Sequence, residues 1–556
     1  MTNNFQKMSE GIVSDFIQSI VFIDDKAYEA PGGEDVRHDF DVKAIVKNFA
    51  RNEKICSIFQ PEQESDIELF SAIAKKADVT VLDWQIIIGQ CSSSSPDGGN
   101  DGEDDEEEDV RGLYTKQIIG HLIRSPSSQN SLKMILIYTG ETDLEGIARE
   151  ILEYLNDKQG MVFEHPCGDP CCVESGNFRI LVRAKANGGP GRYKHIPERQ
   201  HHEVSYEDLP EFIDNEFSKL TNGLLSIFAL KALTEIRRNH FQILNIFSKK
   251  LDAGYLTHQS LLPNGDDANE LLVDLLGDTF TSILRAQNLN TMLNKNITDK
   301  WIEQYVEDEP RSQLGSKMRF TRNKDLLKLL LESSEDVPNK FSTALSKQHI
   351  SKNDAKKNFN GYAFSLFHAI EDCEIVNRKF ALLCQHKNLI RYDNFIPILT
   401  LGTVVKSTTH NKYYICVQQR CDSNQLKHES TRRFLFLSLS LVSSENEETN
   451  FDIVTEGGDK LRLDSKTYDV RTIKFCGSGN QRVEGLRDRS NNNIYFQPSY
   501  YSADHDEKLE FFFELKDLYS QRIIDNYCSS LSRVGVDEPE WIRRSDKNKP
   551  SKLPKP

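Results

Sequence analysis

The sequence predicts a multidomain protein: an α/β region is followed by a helical middle and by a small C-terminal β region. Three observations lead to this fold class. The chain has 556 residues, enough for about three or four domains. Up to about residue 245, short apolar runs alternate with amphipathic stretches, and helical spacing then dominates to about residue 395. Short apolar runs broken by Gly, Asn and Ser follow, as expected for strands and turns.

Five apolar runs in the N-terminal region have the length and composition of buried strands. They cover 19–24, 54–59, 79–84, 133–139 and 178–184. Amphipathic segments with helical periodicity lie between them, at 41–52, 66–76 and 143–157. Strands that alternate with helices indicate a parallel sheet covered by helices. Five such strands are typical of a flavodoxin-like order.

Two insertions interrupt this region. The first, "CSSSSPDGGNDGEDDEEEDV" at 91–110, is acidic and of low complexity, which predicts a disordered loop. Repulsion of anions or binding of a partner is the alternative interpretation. The second, "EHPCGDPCCVESGN" at 164–177, is rich in cysteine and precedes the fifth strand.

The rest of the chain changes from helical to β character. The segment 215–250 predicts one very long or kinked helix, and further helices are predicted at 267–290, 325–333 and 362–386. Strands predicted at 412–422, 432–443, 451–456, 460–476 and 493–501 suggest a small barrel. Their aromatic residues suggest a partner-facing surface. The predicted domains are 1–214 (α/β), 215–395 (helical), 396–510 (β-barrel-like), 511–544 (terminal helix and anchor) and 545–556 (basic tail).

The composition narrows the class of protein. There are 85 acidic and 69 basic residues, a net charge of −16, which argues against non-specific binding to nucleic acid. No apolar run approaches the roughly 18 residues of a membrane span, and the N-terminus lacks the pattern of a signal peptide. We therefore expect a cytoplasmic protein without membrane contact. The 11 cysteines are scattered, which favours reduced thiols over disulfides.

Polar side chains follow the strands where a parallel sheet would place a ligand. Asp24 and Asp25 end the first predicted strand, Asp83 the third and Thr139 the fourth, and Lys185 follows the fifth. Because the carboxyl ends of parallel strands meet at one edge, these side chains are expected to converge. Two adjacent carboxylates repel each other unless a cation lies between them. A solvated strand end is the simpler explanation for the acidic pair taken alone.

The residue types suit phosphoryl chemistry. Asp24 and Asp25 could hold Mg²⁺, and Asp83 could be both a metal ligand and the nucleophile that accepts a phosphoryl group. Lys185 could neutralise the phosphoryl oxygens, and the Thr139 hydroxyl could donate a hydrogen bond to one of them.

With these residues, the segment at about 15–215 resembles the receiver domain of two-component response regulators. The resemblance implies an acidic pair at Asp24 and Asp25, a phospho-acceptor at Asp83, and supporting roles for Thr139 and Lys185. It also implies that the backbone carbonyl of Gln85 is a metal ligand. The two insertions and the absence of a proline after Lys185 depart from the family pattern.

The chain is similar to divergent receivers in multidomain proteins of bacterial anti-phage defence loci. That resemblance implies a signalling or adaptor component of a phosphorelay, whose only catalysis is self-phosphorylation of the aspartate. The implied partners are a histidine kinase or a GHKL-type ATPase, together with other proteins of a defence complex. The alternative is a non-catalytic interaction scaffold with a degenerate receiver. The chain contains no Gly-rich phosphate loop and no recognisable DNA-binding module, so direct contact with nucleic acid is not expected.

The cysteine-rich insertion offers a second possible metal site. His165, Cys167, Cys171 and Cys172 are residue types that bind zinc. Their spacing matches no standard pair of zinc knuckles, and adjacent cysteines rarely share one tetrahedral site. Ordinary loop cysteines are therefore the favoured interpretation.

Overall fold

The structure is a computed structural model that divides into two compact units. Unit 1 comprises Met1–Leu244 and Phe280–Tyr305, and unit 2 comprises Asn245–Thr279 and Val306–Pro556. The described residues are 4–28, 40–88, 111–124, 132–158, 162–166, 168–186, 196–262, 265, 267–312, 318–332, 334–367, 370–389, 394–423, 426, 430–442, 451–463, 469–478, 481–499 and 507–531. The acidic insertion 91–110 lies outside them, and the finer domain boundaries stay predictions.

Unit 1 is built on a seven-stranded, mostly parallel sheet. Its strands are β1 (Ser19–Ile23), β2 (Ile55–Phe59), β3 (Val79–Leu82), β4 (Lys133–Thr139), β5 (Cys172–Ser175), β6 (Phe178–Lys185) and β7 (Glu203–Val204). The order is β2-β1-β3-β4-β6-β5, with β7 also paired to β6. The five predicted strands are the parallel core, so the parallel α/β prediction is confirmed. Strand β5 was not predicted; it pairs antiparallel to β6 from within the cysteine-rich insertion.

Helices cover both faces of this sheet. They are α1 (Asn4–Phe16), α2 (Val42–Arg51), α3 (Glu64–Ala74), α4 (Leu113–Arg124), α5 (Leu144–Lys158), α6 (Pro197–His201) and α7 (Leu209–Leu220). Alternate residues of β1 enter two separate apolar clusters, Val21 and Ile23 in one and Ile20 and Phe22 in the other. Because both faces of the strand are buried, its sequence is continuously apolar rather than alternating. The ends of the strands, not the faces of the sheet, are therefore left for a functional site.

The middle of the chain is mainly helical, as predicted. Its helices are α8 (Leu224–Ile246), α9 (Asp252–Leu261), α10 (Asp267–Ala286), α11 (Lys295–Tyr305), α12 (Lys324–Leu330), α13 (Val337–Ser346), α14 (Lys352–Lys357), α15 (Phe359–Phe367) and α16 (Ile370–Gln385). The prediction of one helix over 215–250 is wrong, because α7 ends at a Thr221 cap before α8 begins. A short antiparallel hairpin, β8 (Glu309–Ser312) and β9 (Arg319–Arg322), was not predicted.

The C-terminal region forms a nine-stranded antiparallel sheet. Its elements are β10 (Thr403–Ser407), β11 (Tyr413–Cys416), α17 (Arg420–Ser423), β12 (Thr431–Leu441), β13 (Ile453–Val454), β14 (Lys460–Leu463), β15 (Val470–Cys476), β16 (Leu486–Arg487), β17 (Ile494–Phe496), β18 (Leu509–Glu514) and α18 (Asp517–Leu531). The order is β13-β14-β12-β11-β10-β18-β17-β16, with β15 paired to β12. Among the described residues the two ends of this order do not pair, so the predicted small β-barrel is not confirmed.

Two expectations for this region need correction. The terminal helix does not begin at residue 511, because Phe511 and Phe513 belong to β18 and pair with Val405 and Val404 of β10. Helix α18 begins only at Asp517, and the predicted anchor around Trp541 lies outside the described residues. The aromatic side chains of the central strands are buried core, not partner-facing surface: Tyr413, Tyr414, Phe434, Phe436 and Phe496.

Within the described part of the chain, every helix is too short or too polar to cross a membrane.

Candidate functional site

The backbone at the carboxyl ends of β1 and β3 places the predicted aspartates side by side. In the sheet, Ile23 pairs with Leu82, and the next residues are Asp24 and Asp83. The Asp83 N–H donates to the Ile23 carbonyl over 3.0 Å, and the Asp24 N–H donates to the Phe59 carbonyl at the end of β2 over 3.1 Å. Continued strand hydrogen bonding therefore holds both aspartates at the same edge.

Lys185 joins these two aspartates. Its Nζ lies 2.7 Å from Asp24 Oδ2 and 3.2 Å from Asp83 Oδ1. Lys185 is the last residue of β6, which is separated from β3 by β4, so its long side chain crosses the end of β4 to reach them. The three side chains are almost fully buried. The structure thus brings together three of the residues that the sequence predicted.

Asp25 is the third carboxylate of this site, and one of its two oxygens accepts no hydrogen bond from a described residue. Its Oδ2 accepts a hydrogen bond of 3.1 Å from the N–H of Ile87, in the segment after β3. Its Oδ1 is buried and accepts no hydrogen bond from any described residue. The other aspartates are oriented by nearby backbone: the Lys26 N–H donates to Asp24 Oδ1 over 2.9 Å and the Gln85 N–H to Asp83 Oδ2 over 3.3 Å.

The charges at this edge do not balance, because three carboxylates face two ammonium groups, those of Lys185 and Lys26. Burial, with a smaller contribution from Asp24, raises the pKa of Asp25 to about 6. Burial raises the pKa of Asp83 to about 7, although Lys185 opposes the shift. Burial alone would lower the pKa of Lys185, but Asp24 and Asp83 outweigh it and the net shift is upward. The site therefore carries excess negative charge that a cation would relieve.

The donor set fits a hard divalent cation such as Mg²⁺. Carboxylate oxygens are the ligands that Mg²⁺ takes in proteins, and the unpaired oxygen of Asp25 is such a ligand. In the present arrangement, however, the Lys185 ammonium contacts both Asp24 and Asp83. The three aspartates do not bring one oxygen each within 4.8 Å of one another.

Thr139 and Gln85 lie where the sequence suggested. Thr139 is the last residue of β4, is fully buried, and pairs in register with Ala184, next to Lys185. Its hydroxyl oxygen accepts a hydrogen bond of 3.3 Å from the Glu141 N–H, which leaves the hydroxyl hydrogen to be donated elsewhere. Gln85 contacts Asp83 through its N–H, and the role of its carbonyl as a metal ligand stays a prediction.

Sequence reasoning missed Thr115, which holds the segment that carries Asp83. This residue of α4 is fully buried, and its hydroxyl lies 2.7 Å from the Asp83 carbonyl and 3.1 Å from the Trp84 carbonyl. The nearby Gly112 has φ +71°, and a Cβ there would lie 2.2 Å from the Trp84 ring. No motif identifies Thr115 in the sequence, because its partners are backbone atoms.

Thr115→Val should lower the free energy of unfolding by about 1–3 kcal/mol, because two buried carbonyls lose their shared donor. Urea unfolding measures this change. Thr234→Val is the matched control, since that buried hydroxyl donates only within its own helix, to the Leu230 carbonyl. A loss for Thr115→Val no larger than for the control would contradict the positioning role.

Arg199 of α6 is the second residue that sequence reasoning missed. Its side chain is buried, with Nη2 2.9 Å from the Lys185 carbonyl and Nε 3.2 Å from the Glu141 carbonyl, and it forms an ion pair with Glu203. It therefore ties the end of β6 to the segment after Thr139. Arginine can do this because its guanidinium group presents several donors in a fixed plane.

Among the described residues of unit 1, two other lysines are buried, and their contacts differ from those of Lys185. Lys133 Nζ donates to the Ala74 and Ala77 carbonyls over 2.7 and 2.6 Å, and burial lowers its pKa to about 8. Lys54 binds two backbone carbonyls as well as Asp214. Both anchor neighbouring helices, whereas Lys185 contacts two carboxylates at strand ends.

The cysteine-rich segment is only partly described. The His165 Nδ1 lies 2.8 Å from the Cys172 carbonyl oxygen, and the Cys172 thiol lies 3.8 Å from Glu174 Oε1. Cys167 lies outside the described residues. The interpretation of Cys167, Cys171 and Cys172 as ordinary loop cysteines, rather than as zinc ligands with His165, therefore stays a prediction.

Comparison with known proteins agrees with this geometry. Residues 16–190 match the family model described as a response receiver domain. No curated protein and no solved structure matches the chain. The match covers less than half of the chain, and it supports a receiver domain in the N-terminal region, where the aspartates and Lys185 lie.

Proposed function

We propose that the chain is a signalling component of a phosphorelay, in which Asp83 accepts a phosphoryl group in a Mg²⁺-dependent reaction. The observation that carries this proposal is the buried group at the carboxyl edge of the receiver sheet. There Lys185 pairs with Asp24 and Asp83, and Asp25 keeps one oxygen unpaired. Catalysis by the chain would be limited to its own aspartyl phosphorylation and dephosphorylation.

The proposed reaction is an in-line displacement at phosphorus. A carboxylate oxygen of Asp83 forms a bond to phosphorus, the bond from phosphorus to the donor breaks with its electron pair leaving on the donor, and an acyl phosphate results. Mg²⁺, held by Asp24, Asp25, Asp83 and the Gln85 carbonyl, would supply positive charge to the phosphoryl oxygens. Lys185 would exchange its contact with Asp83 for one with the transferred group, and Thr139 would donate to it.

Mg²⁺ should stabilise the protein more at pH about 8 than at pH about 5. The pKa values of Asp25, about 6, and Asp83, about 7, lie above their value in an unfolded chain. The folded state therefore binds protons more tightly, and without metal its stability falls as pH rises through these pKa values. A cation offsets that loss only when the carboxylates are ionised. Thermal unfolding with and without Mg²⁺ at both pH values measures the effect.

Asp25→Asn should remove most of the Mg²⁺-dependent increase in Tm, whereas Asp157→Asn on the exposed side of α5 should keep it. Equal Mg²⁺ shifts at the two pH values, or an unchanged shift in Asp25→Asn, would contradict the metal assignment.

The proposal is tested by incubating the full chain with acetyl phosphate and Mg²⁺ and locating the acyl phosphate by mass spectrometry. We expect the phosphoryl group on Asp83 and no incorporation when Mg²⁺ is chelated. A phosphoryl group on another residue, or incorporation that does not depend on Mg²⁺, would overturn the proposal.

We also propose a histidine kinase or related GHKL-type ATPase as the phosphoryl donor, and a setting in bacterial anti-phage defence. Support for both comes from the resemblance of the sequence alone. Phage challenge of cells that carry the intact chain or the Asp83→Asn variant tests the setting. Equal protection by both would separate any defence role from phosphorylation, and no protection by either would remove the defence assignment.

The second candidate is an interaction scaffold with a degenerate receiver. The observation in its favour is that the Lys185 ammonium forms ion pairs with both Asp24 and Asp83, the contacts that a metal cation would otherwise make. Beryllofluoride with Mg²⁺ distinguishes the two functions, because it mimics an aspartyl phosphate. A change in the Tm of the full chain beyond the change that Mg²⁺ alone causes favours the phosphorelay, and no further change favours the scaffold.

A further inference from the structure

A second group of metal-binding side chains lies at the outer edge of the receiver sheet. Asp169, Cys171 and His202 place one ligand atom each within 4.8 Å of one another. Within the described part of the chain, no other set of three such residues meets this criterion. The group shares Cys171 with the zinc set suggested by the sequence and adds Asp169 and His202, which are remote from each other in the chain.

Strand pairing explains why these residues meet. The Cys171 carbonyl accepts a hydrogen bond of 2.9 Å from the Val182 N–H, and the His202 carbonyl accepts one of 2.9 Å from the Ala184 N–H. Both residues therefore flank the same edge of β6, where β5 and β7 begin. The Cys171 N–H donates to Asp169 Oδ1 over 3.0 Å, which fixes the third member beside the other two.

The two softer ligands are not engaged elsewhere. The Cys171 thiol is fully buried, and neither it nor the His202 ring forms a hydrogen bond with a described residue. Burial raises the pKa of the Cys171 thiol to about 12 and, together with Arg183, lowers the pKa of His202. A metal ion binds the neutral imidazole and the thiolate, so binding at these residues would displace the Cys171 proton.

Arg183 is the feature that opposes a cation here. Its Nη2 lies 2.7 Å from Asp169 Oδ2, and its Nη1 donates to the Val182 carbonyl over 2.8 Å. Asp143 and Glu145, near the start of α5, act electrostatically on Cys171 in the opposite sense. With a thiolate and the Asp169 carboxylate, the local negative charge exceeds that of Arg183. A hydrogen bond from Arg183 also orients Asp169, as outer partners of metal ligands commonly do.

We propose that Asp169, Cys171 and His202 bind a transition-metal ion of the Zn²⁺ class, with water in the fourth position. The mixture of sulfur, nitrogen and oxygen donors selects such ions over Mg²⁺ or Ca²⁺, which prefer oxygen alone. Binding releases the Cys171 proton and joins the ion to the thiolate. Because the ligands precede β5 and β7, the ion ties both strands to β6. Asp169 and His202 are only partly buried, which gives the ion a path of entry.

Cobalt provides the direct test, because a Co²⁺–thiolate bond absorbs light. The full chain, stripped with a chelator, is titrated with Co²⁺ and then with Zn²⁺. We expect one equivalent of Co²⁺ with a thiolate charge-transfer band that Zn²⁺ abolishes. Absence of a thiolate band at one equivalent would overturn the proposal.

Variants locate the site. Cys171→Ser should remove the band, and His202→Gln should weaken Co²⁺ binding by about 100-fold. The matched control is Cys172→Ser, the adjacent thiol that faces Glu174, which should keep the band. Asp83→Asn should also keep it, so the outcome is independent of the phosphorelay proposal. A band that survives in both Cys171→Ser and His202→Gln would place the metal elsewhere.

Discussion

Asp83→Asn should reduce phosphoryl incorporation from acetyl phosphate by at least about 1,000-fold, because an amide oxygen does not replace the attacking carboxylate. Incorporation per chain is measured by mass spectrometry under Mg²⁺. Burial raises the pKa of Asp83 to about 7, so in most wild-type molecules the Asp83 carboxyl is ionised at pH about 8. The difference in incorporation between the wild type and the variant should be largest at that pH.

The same variant carries an internal check on folding. Asp83→Asn removes a buried charge from a site with excess negative charge, so without Mg²⁺ it should be at least as stable as the wild type at pH about 8. Asp157→Asn, at an exposed position of α5, should leave incorporation unchanged. Full incorporation in a folded Asp83→Asn protein would assign the acceptor elsewhere.

Lys185→Met should lower the free energy of unfolding of the protein by about 3–5 kcal/mol at pH about 8, because it leaves Asp24 and Asp83 buried without their cation. The loss should shrink as pH falls. Lys185 lowers the pKa of Asp83 in the wild type, so in the variant this carboxyl binds its proton at a still higher pH. Once this carboxyl is protonated, the variant no longer contains the uncompensated charge of Asp83. Urea unfolding at pH about 8 and about 5 measures both effects.

Lys116→Met is the matched control for this substitution. Lys116 is partly exposed, and its Nζ lies 3.3 Å from Glu150, a pair expected to contribute at most about 1 kcal/mol. A loss that is the same at both pH values, or no greater than in the control, would show that Lys185 does not balance the aspartates.

The parallel sheet could be predicted because local sequence encodes it. Four of the five core strands, β1, β3, β4 and β6, are almost entirely buried and mainly apolar, whereas β2 is more exposed. Helices of suitable periodicity separate the strands. The antiparallel strands were harder to predict. In β18, Phe511, Phe512 and Phe513 are consecutive, and a short continuous apolar run does not distinguish a strand from a buried helix. Only the pairing of this segment with β10 makes it a strand. Likewise β5 is stable because β6 offers it an edge.

In the candidate site, too, some features could be predicted from the sequence and others depend on the tertiary structure. The sequence alone determined which segments form the core strands and which polar residues stand at their carboxyl ends, because both features are read from residues close together in the chain. These polar residues are Asp24, Asp25, Asp83, Thr139 and Lys185. The tertiary structure decided which of these side chains touch. The reach of Lys185 across β4 to Asp24 and Asp83, the unpaired oxygen of Asp25, and the meeting of Cys171 with His202 along β6 depend on strand order and register. Apolar periodicity carries no information about the order in which strands pair. The raised pKa values of Asp25 and Asp83 come mainly from burial, which exists only once helices cover the sheet.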